Sequence, residues 1–133
     1  ISAIEKGASD IHFEPYENIF RIRMRIDGLL HETTQIPKKL SHQIISRIKI
    51  MSNIDISEKR LPQDGRFKLA VSLDRIIDFR TSTCPTIYGE KVVVRILDPI
   101  TAALSINNLG LELQQQKLFI KTIQKAQGMV IVT

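Results

Sequence analysis

From Phe20 to Ile26 the chain alternates strictly, with Phe20, Ile22, Met24 and Ile26 on one face and Arg21, Arg23, Arg25 and then Asp27 on the other. A period of two predicts a half-buried strand. Asp27-Gly28 follows, a pair that tolerates positive φ, so a tight hairpin turn is expected there with Leu29–Thr33 as the returning strand. A short extended segment over 11–14 precedes this hairpin and ends at Pro15. After Pro37 the spacing changes. Leu40, Ile44, Ile48 and Met51 fall on one stripe with Ile45 beside it, while His42, Gln43, Ser46 and Lys49 lie off it, which predicts a helix. Ser57–Arg66 is polar and holds Pro62 and Asp64-Gly65, the makings of a shaped loop. Strands are expected at 66–72, 75–83 and 91–97, joined by a turn over Ser72–Asp74 and a loop over Pro85–Glu90.

Beyond Asp98-Pro99 the pattern loosens through Thr101–Asn108, and a second helix is expected over Leu111–Lys125. Glu112 near its start and Lys121 and Lys125 near its end complement a helix dipole, and Gly128 stands where a capping glycine would. Met129–Thr133 reads as a buried strand with no turn after it, so its sheet is expected outside these residues. The order of elements predicts an α+β domain over 1–98, a mostly antiparallel sheet with one or two packing helices. A linker over 99–110 and the first helix and strand of an α/β unit over 111–133 complete the expectation.

Composition narrows the function classes. Hydrophobic residues make up 43% of the 133 and charged ones 25%, a globular balance, and no apolar run reaches the ~18–20 residues of a membrane span. Aromatics are only 5%, with no Trp, so the core must be built largely from Ile, Leu and Val. The net charge of +5 permits an anionic partner. Charge is spread evenly, however: residues 1–60 hold 10 basic and 8 acidic side chains and residues 61–133 hold 9 and 6, with no basic run and no interleaved aromatics. That scatter argues against a nucleic-acid module. His12, His31 and His42 lie in three different elements without ligand spacing, so no metal site is expected. Asp10 and His12 share a strand face and read as a surface pair; Cys84 has no base beside it and reads as a small buried or loop residue. The six glycines form neither G-x-x-x-x-G-K-[ST] nor G-x-G-x-x-G.

Arginines are the remaining signal. Period two places Asp78, Arg80 and Ser82 opposite Ile77, Phe79 and Thr81, and puts Arg95 with Val93 and Leu97 in an otherwise apolar strand. A guanidinium among apolar neighbours is costly unless paired. One reading is an internal ion pair, Arg80 with Asp78 or Arg95 with Glu90. The other is a pair of planar, permanently charged forks for phosphate oxygens. Arg21, Arg23 and Arg25 read as a solvated strand face, and Lys59-Arg60 as loop solvation.

Seven segments, in register across nearly the whole chain, resemble the ATPases that power type II secretion and type IV pilus assembly. They are Gly7–Pro15, Arg23–Gly28, Arg47–Met51, Asp55–Arg66, Asp78–Pro85, Gly89–Leu97 and Leu109–Leu111. The resemblance implies a PAS-like α+β domain immediately before a RecA-like ATPase core, with Gly128–Thr133 leading toward the phosphate-binding loop. It implies ATP and Mg in the full-length protein, no tight nucleotide binding and no turnover by these residues alone, and a cytoplasmic homohexamer peripheral to the bacterial inner membrane. Implied partners are the core domains of its own and neighbouring subunits and inner-membrane secretion or pilus platform proteins, with no nucleic acid and no membrane insertion. It also implies that Arg80 and Arg95 contact nucleotide phosphates, with Arg60 and Arg66 as secondary candidates for the same interface. The alternative is a stand-alone PAS-like module that senses a small molecule or binds a protein, which requires a sizeable apolar pocket.

Overall fold

A computed structural model describes residues 1–73, 75–98 and 106–131, which fall into two compact units, Ile1–Pro99 and Ile100–Thr133. The first unit is α+β, as expected. A short helix α1 (Ser2–Glu5) leads into β1 (Asp10–Pro15), β2 (Ile19–Ile26) and β3 (Leu29–Pro37). A 3-10 turn then opens α2 (Ser41–Met51), followed by β4 (Gln63–Ser72), β5 (Arg75–Thr86) and β6 (Gly89–Leu97). The strands form one antiparallel sheet in the order β3-β2-β1-β6-β5-β4. Each half is a meander, and pairing of β1 with β6 joins the two.

Local chemistry explains the elements. Asp27 (φ +49°) and Gly28 (φ +81°) both take the left-handed conformation that a two-residue hairpin requires. Period-two alternation gives the sheet a core face, where Phe20, Ile77, Phe79, Val92 and Val94 pack with Ile45 of α2. Phe67 and Phe79 stack across β4 and β5 with ring centroids 4.7 Å apart. β4 passes very close to the end of α2, and only glycine fits at position 65: a Cβ there would lie 2.3 Å from the Ser52 carbonyl oxygen.

Several boundaries differ from the sequence expectation. β4 begins at Gln63, so Asp64-Gly65-Arg66 belongs to a strand rather than to the loop. β5 runs on to Thr86 through Pro85, which places Cys84 on an exposed strand position, neither buried nor in a loop. α1 had no periodic signal because it spans four residues.

In the second unit a 3-10 turn (Ile106–Asn108) and helix α3 (Leu113–Ile123) are present. Glu112 is its N-cap, forming a capping box with Gln115, and the helix ends at Gln124 rather than near Gly128. Met129–Ile131 do not form the expected strand and are exposed or half-exposed, with no strand among the described residues pairing to them. The expectations placed on Asp74, on 99–105 within the linker, and on Val132 and Thr133 lie outside the described residues.

Candidate functional site: a basic ladder on the open face of the sheet

α2 covers one face of the sheet, so residues of opposite parity stand on the other. Strand register places one rung straight across it: Arg66 opposite Arg80, Arg80 opposite Arg95, Arg95 opposite Asp10, and Asp10 opposite Arg25. Directly opposed side chains on one face lie roughly 4.5–5.5 Å apart at Cβ. Three guanidiniums from β4, β5 and β6 are thus adjacent. The next rung sets Asp64 opposite Ser82 and Ser82 opposite Val93, and Ser82 Oγ donates to Asp64 Oδ1 at 2.5 Å. Asp64, Arg66, Arg80, Ser82, Val93 and Arg95 line an open groove of about 630 Å³.

The arginines are not equivalent. Arg80 is exposed and makes no ion pair or side-chain hydrogen bond among the described residues. Arg95, its side chain 65% exposed, donates from Nε to Asp10 Oδ1 at 3.0 Å. Neither of the internal partners considered from the sequence holds. Asp78 faces Lys68 at 3.7 Å, and Glu90 lies on the opposite face of β6, where it accepts from Lys49 Nζ at 2.7 Å. The apolar run in β6 arises because Val92 and Val94 point into the core while Arg95 points out, so its head keeps its water. Arg60 does not line the groove; it is 89% exposed in the loop after α2 and pairs with Glu58 at 3.4 Å.

Asp10 and His12 are not a surface pair. Both are buried, and Asp10 is held by Ser9 Oγ at 2.8 Å as well as by Arg95. Burial raises the Asp10 pKa, but the Ser9 and Arg95 hydrogen bonds and the Arg95 charge outweigh it, so the group titrates below its ordinary value. The two His12 ring nitrogens are buried and have no hydrogen-bond partner among the described residues. Burial, then the Lys91 charge, lower its pKa against the opposing pull of Glu14.

Arg21, Arg23 and Arg25 also depart from the expected solvated face. Arg21, Arg23 and Lys91 converge on Glu14, at 3.1, 2.8 and 3.0 Å, and Arg25 reaches Asp10 at 3.5 Å. Arg21 also lies over the Tyr16 ring, 4.6 Å from its centroid. Burial raises the Glu14 pKa, yet the Arg23 and Lys91 hydrogen bonds and charges bring it down to about 2. Much of the positive charge around β2 is therefore neutralised, whereas Arg66 and Arg80 have no acidic partner among the described residues. Sequence reasoning missed Glu14 and Asp10 as hubs because their partners come from β2 and β6, which strand order and register set on either side of β1.

A small-molecule sensor needs an enclosed apolar pocket. The apolar cavity between α1, α2 and the sheet, lined by Ile4, Ile11, Phe13, Ile48, Phe67 and Val94 among others, has only about 170 Å³. Ligand pockets usually measure ~300–1,000 Å³. Among the described residues no helix is long and apolar enough to cross a membrane.

Comparison with known proteins agrees with the sequence motifs. The family described as Type II/IV secretion system protein matches residues 1–133. The type IV pilus assembly ATPase PilB of Pseudomonas aeruginosa is 50% identical over 133 residues, which is 100% of this chain and 24% of that protein. The type II secretion system ATPase E of Vibrio cholerae is 43% identical over 131 residues, covering 98% of this chain and 26% of that protein. The chain thus spans about a quarter of the length of such curated relatives. Among solved structures, the pilus retraction motor PilT with bound ADP superposes with a TM-score of 0.54 at 20% identity, over 85% of this chain and 31% of that one, a likeness of fold.

Proposed function

Since this chain belongs to the Type II/IV secretion system protein family, we propose that it is a phosphate-facing module of an ATPase that drives protein secretion or type IV pilus assembly. The observation that carries this reading is the cross-strand set Arg66, Arg80 and Arg95 around one open groove, with Arg80 left unpaired among the described residues. Three fixed positive charges side by side repel one another, an arrangement that an anion would relieve. Guanidinium forks match phosphate oxygens in shape and charge. ATP with Mg²⁺, held by residues of the longer protein, would supply the phosphoryl chemistry. The part of this chain is to offer Arg80 and Arg95 as positive charge to the terminal phosphate, with Arg66 beside them. A triphosphate presents more negative charge than a diphosphate, so the same arginines would hold the module more firmly before hydrolysis than after it. Arg60 is the least favoured of the four, since it stands apart from the groove.

In this reading residues 1–98 act as a PAS-like domain and 99–110 as a linker into the ATPase core. The parent is a cytoplasmic homohexamer that works through inner-membrane platform proteins. The chain alone turns over no ATP. A phosphate-release assay on these 133 residues and on a version extended through the core tests all of this. The extended protein should hydrolyse ATP, and Arg80→Ala and Arg95→Ala should each slow it on the order of 10³-fold, as expected for arginine fingers. Arg80→Ala should leave folding stability within about 0.5 kcal/mol of the parent, because an exposed, unpaired side chain is removed. Turnover by the 133 residues alone, or unimpaired hydrolysis in both variants, would refute the proposal.

A further inference from the structure

Resting on the phosphate-facing reading, we propose that Asp10 is a positioning residue for Arg95: its carboxylate holds the Nε–H and thereby keeps the terminal amino groups of that guanidinium turned to the groove. Asp10 sits across from Arg95 on β1, on the side away from Arg80. The Asp10 side chain is itself anchored. Ser9 Oγ donates to Oδ2 at 2.8 Å, Arg25 approaches the same oxygen at 3.5 Å, and the residue is buried. Against this fixed acceptor Arg95 spends one donor, Nε, at 3.0 Å. A guanidinium carries five N–H groups. The four on the terminal nitrogens make no hydrogen bond to the described residues and are borne by a side chain that lines the groove.

The alternative placement explains why such an anchor is useful. Arg95 stands directly opposite Arg80, and the carboxylate on its far side fixes where it settles against that like charge. Arg80 has no equivalent tether among the described residues. The pair therefore divides into one pre-set fork and one mobile fork, and only the first needs no ordering when an anion arrives.

This proposal and plain electrostatics predict opposite signs. A carboxylate beside an anion site repels the anion, so deleting it should tighten binding if charge alone matters. If Asp10 positions Arg95, deletion should weaken binding. The test is an NMR titration of the 133-residue chain with inorganic tripolyphosphate at low ionic strength, following backbone amides and arginine Nε–H signals. Arg80→Ala and Arg95→Ala should each weaken binding. Asp10→Ala should weaken it about 5-fold, the scale of one charge-assisted hydrogen bond less the relieved repulsion. Asp10→Asn, which keeps an oxygen acceptor and loses the charge, should bind at least as well as the parent. In the Arg95→Ala background, Asp10→Ala should no longer weaken binding.

If Arg80→Ala weakens binding while Asp10→Ala binds equally or more tightly than the parent, the positioning role is overturned and the groove reading stands. If neither arginine substitution changes the titration, the groove reading fails and this inference with it. Should Asp10→Ala not fold, Arg95→Lys decides, because a single ammonium cannot face Asp10 and the groove together. Binding as weak as that of Arg95→Ala supports the proposal, and parent-like binding overturns it.

Discussion

Glu14 offers the sharpest test of how the open face holds together. Its carboxylate is 4% exposed and accepts from Arg21, Arg23 and Lys91. In the folded chain its pKa falls from an ordinary 4.5 to about 2. At about 1.4 kcal/mol per pH unit this difference corresponds to about 3 kcal/mol of stability at neutral pH. The sign follows from the depressed folded value. The contribution is complete well above 4.5, where Glu14 is ionised in both states. It declines as pH falls through 4.5 toward 2, because the unfolded chain binds the proton first.

Glu14→Gln removes the charge at every pH. Urea unfolding of the parent and the variant should therefore differ by about 3 kcal/mol at pH 7 and by about 1.4 kcal/mol at pH 3, where the unfolded carboxyl is already protonated. A gap that stays constant between those pH values would show that the loss is steric rather than ionic. A gap below about 0.5 kcal/mol at pH 7 would place the three contacts among ordinary surface pairs.

Substitutions at Lys49, Glu90 and Gly65 probe the other face of the sheet. Lys49 is 1% exposed and donates to Glu90 at 2.7 Å and to the Glu58 carbonyl at 2.6 Å, tying α2 to β6 and to the following loop. Lys49→Ala should cost about 3–5 kcal/mol in urea unfolding because it strands a buried carboxylate, and Lys49→Met combined with Glu90→Gln should recover more than half of it. Gly65→Ala should destabilise by at least about 2–3 kcal/mol, since the new methyl meets the fixed backbone carbonyl of Ser52 as well as the Ile54 side chain. The same variant should shift the amide signals of Asp64 and Arg66 in NMR spectra, and unchanged stability would mean that β4 can move away from α2 freely.

Alternation in Phe20–Ile26 and around Ile77–Thr83, the Asp27-Gly28 turn and the stripe of α2 are local properties, set within a few residues by side-chain direction and allowed φ. They were legible before any coordinates, as were the α+β class and the motifs that mark the family. The same parity puts Arg80 on a polar face with Asp78 and Ser82 but leaves Arg95 with Val93 and Leu97 in an apolar strand, so the outward direction of Arg95 was not legible. Which charges meet was not legible, because an ion pair depends on strand order and register. Asp10 reaches Arg95 across 85 positions of sequence only because β1 closes against β6. That closure also brings Lys91 to Glu14, which Arg21 and Arg23 reach from β2, while Glu90, on the other face of β6, accepts from Lys49. Periodicity assigns a residue to a face, and register alone decides its neighbour. The Met129–Ile131 segment shows the converse: its apolar run satisfies a strand pattern, but backbone N–H and C=O groups form a strand only against a partner, and among the described residues it has none.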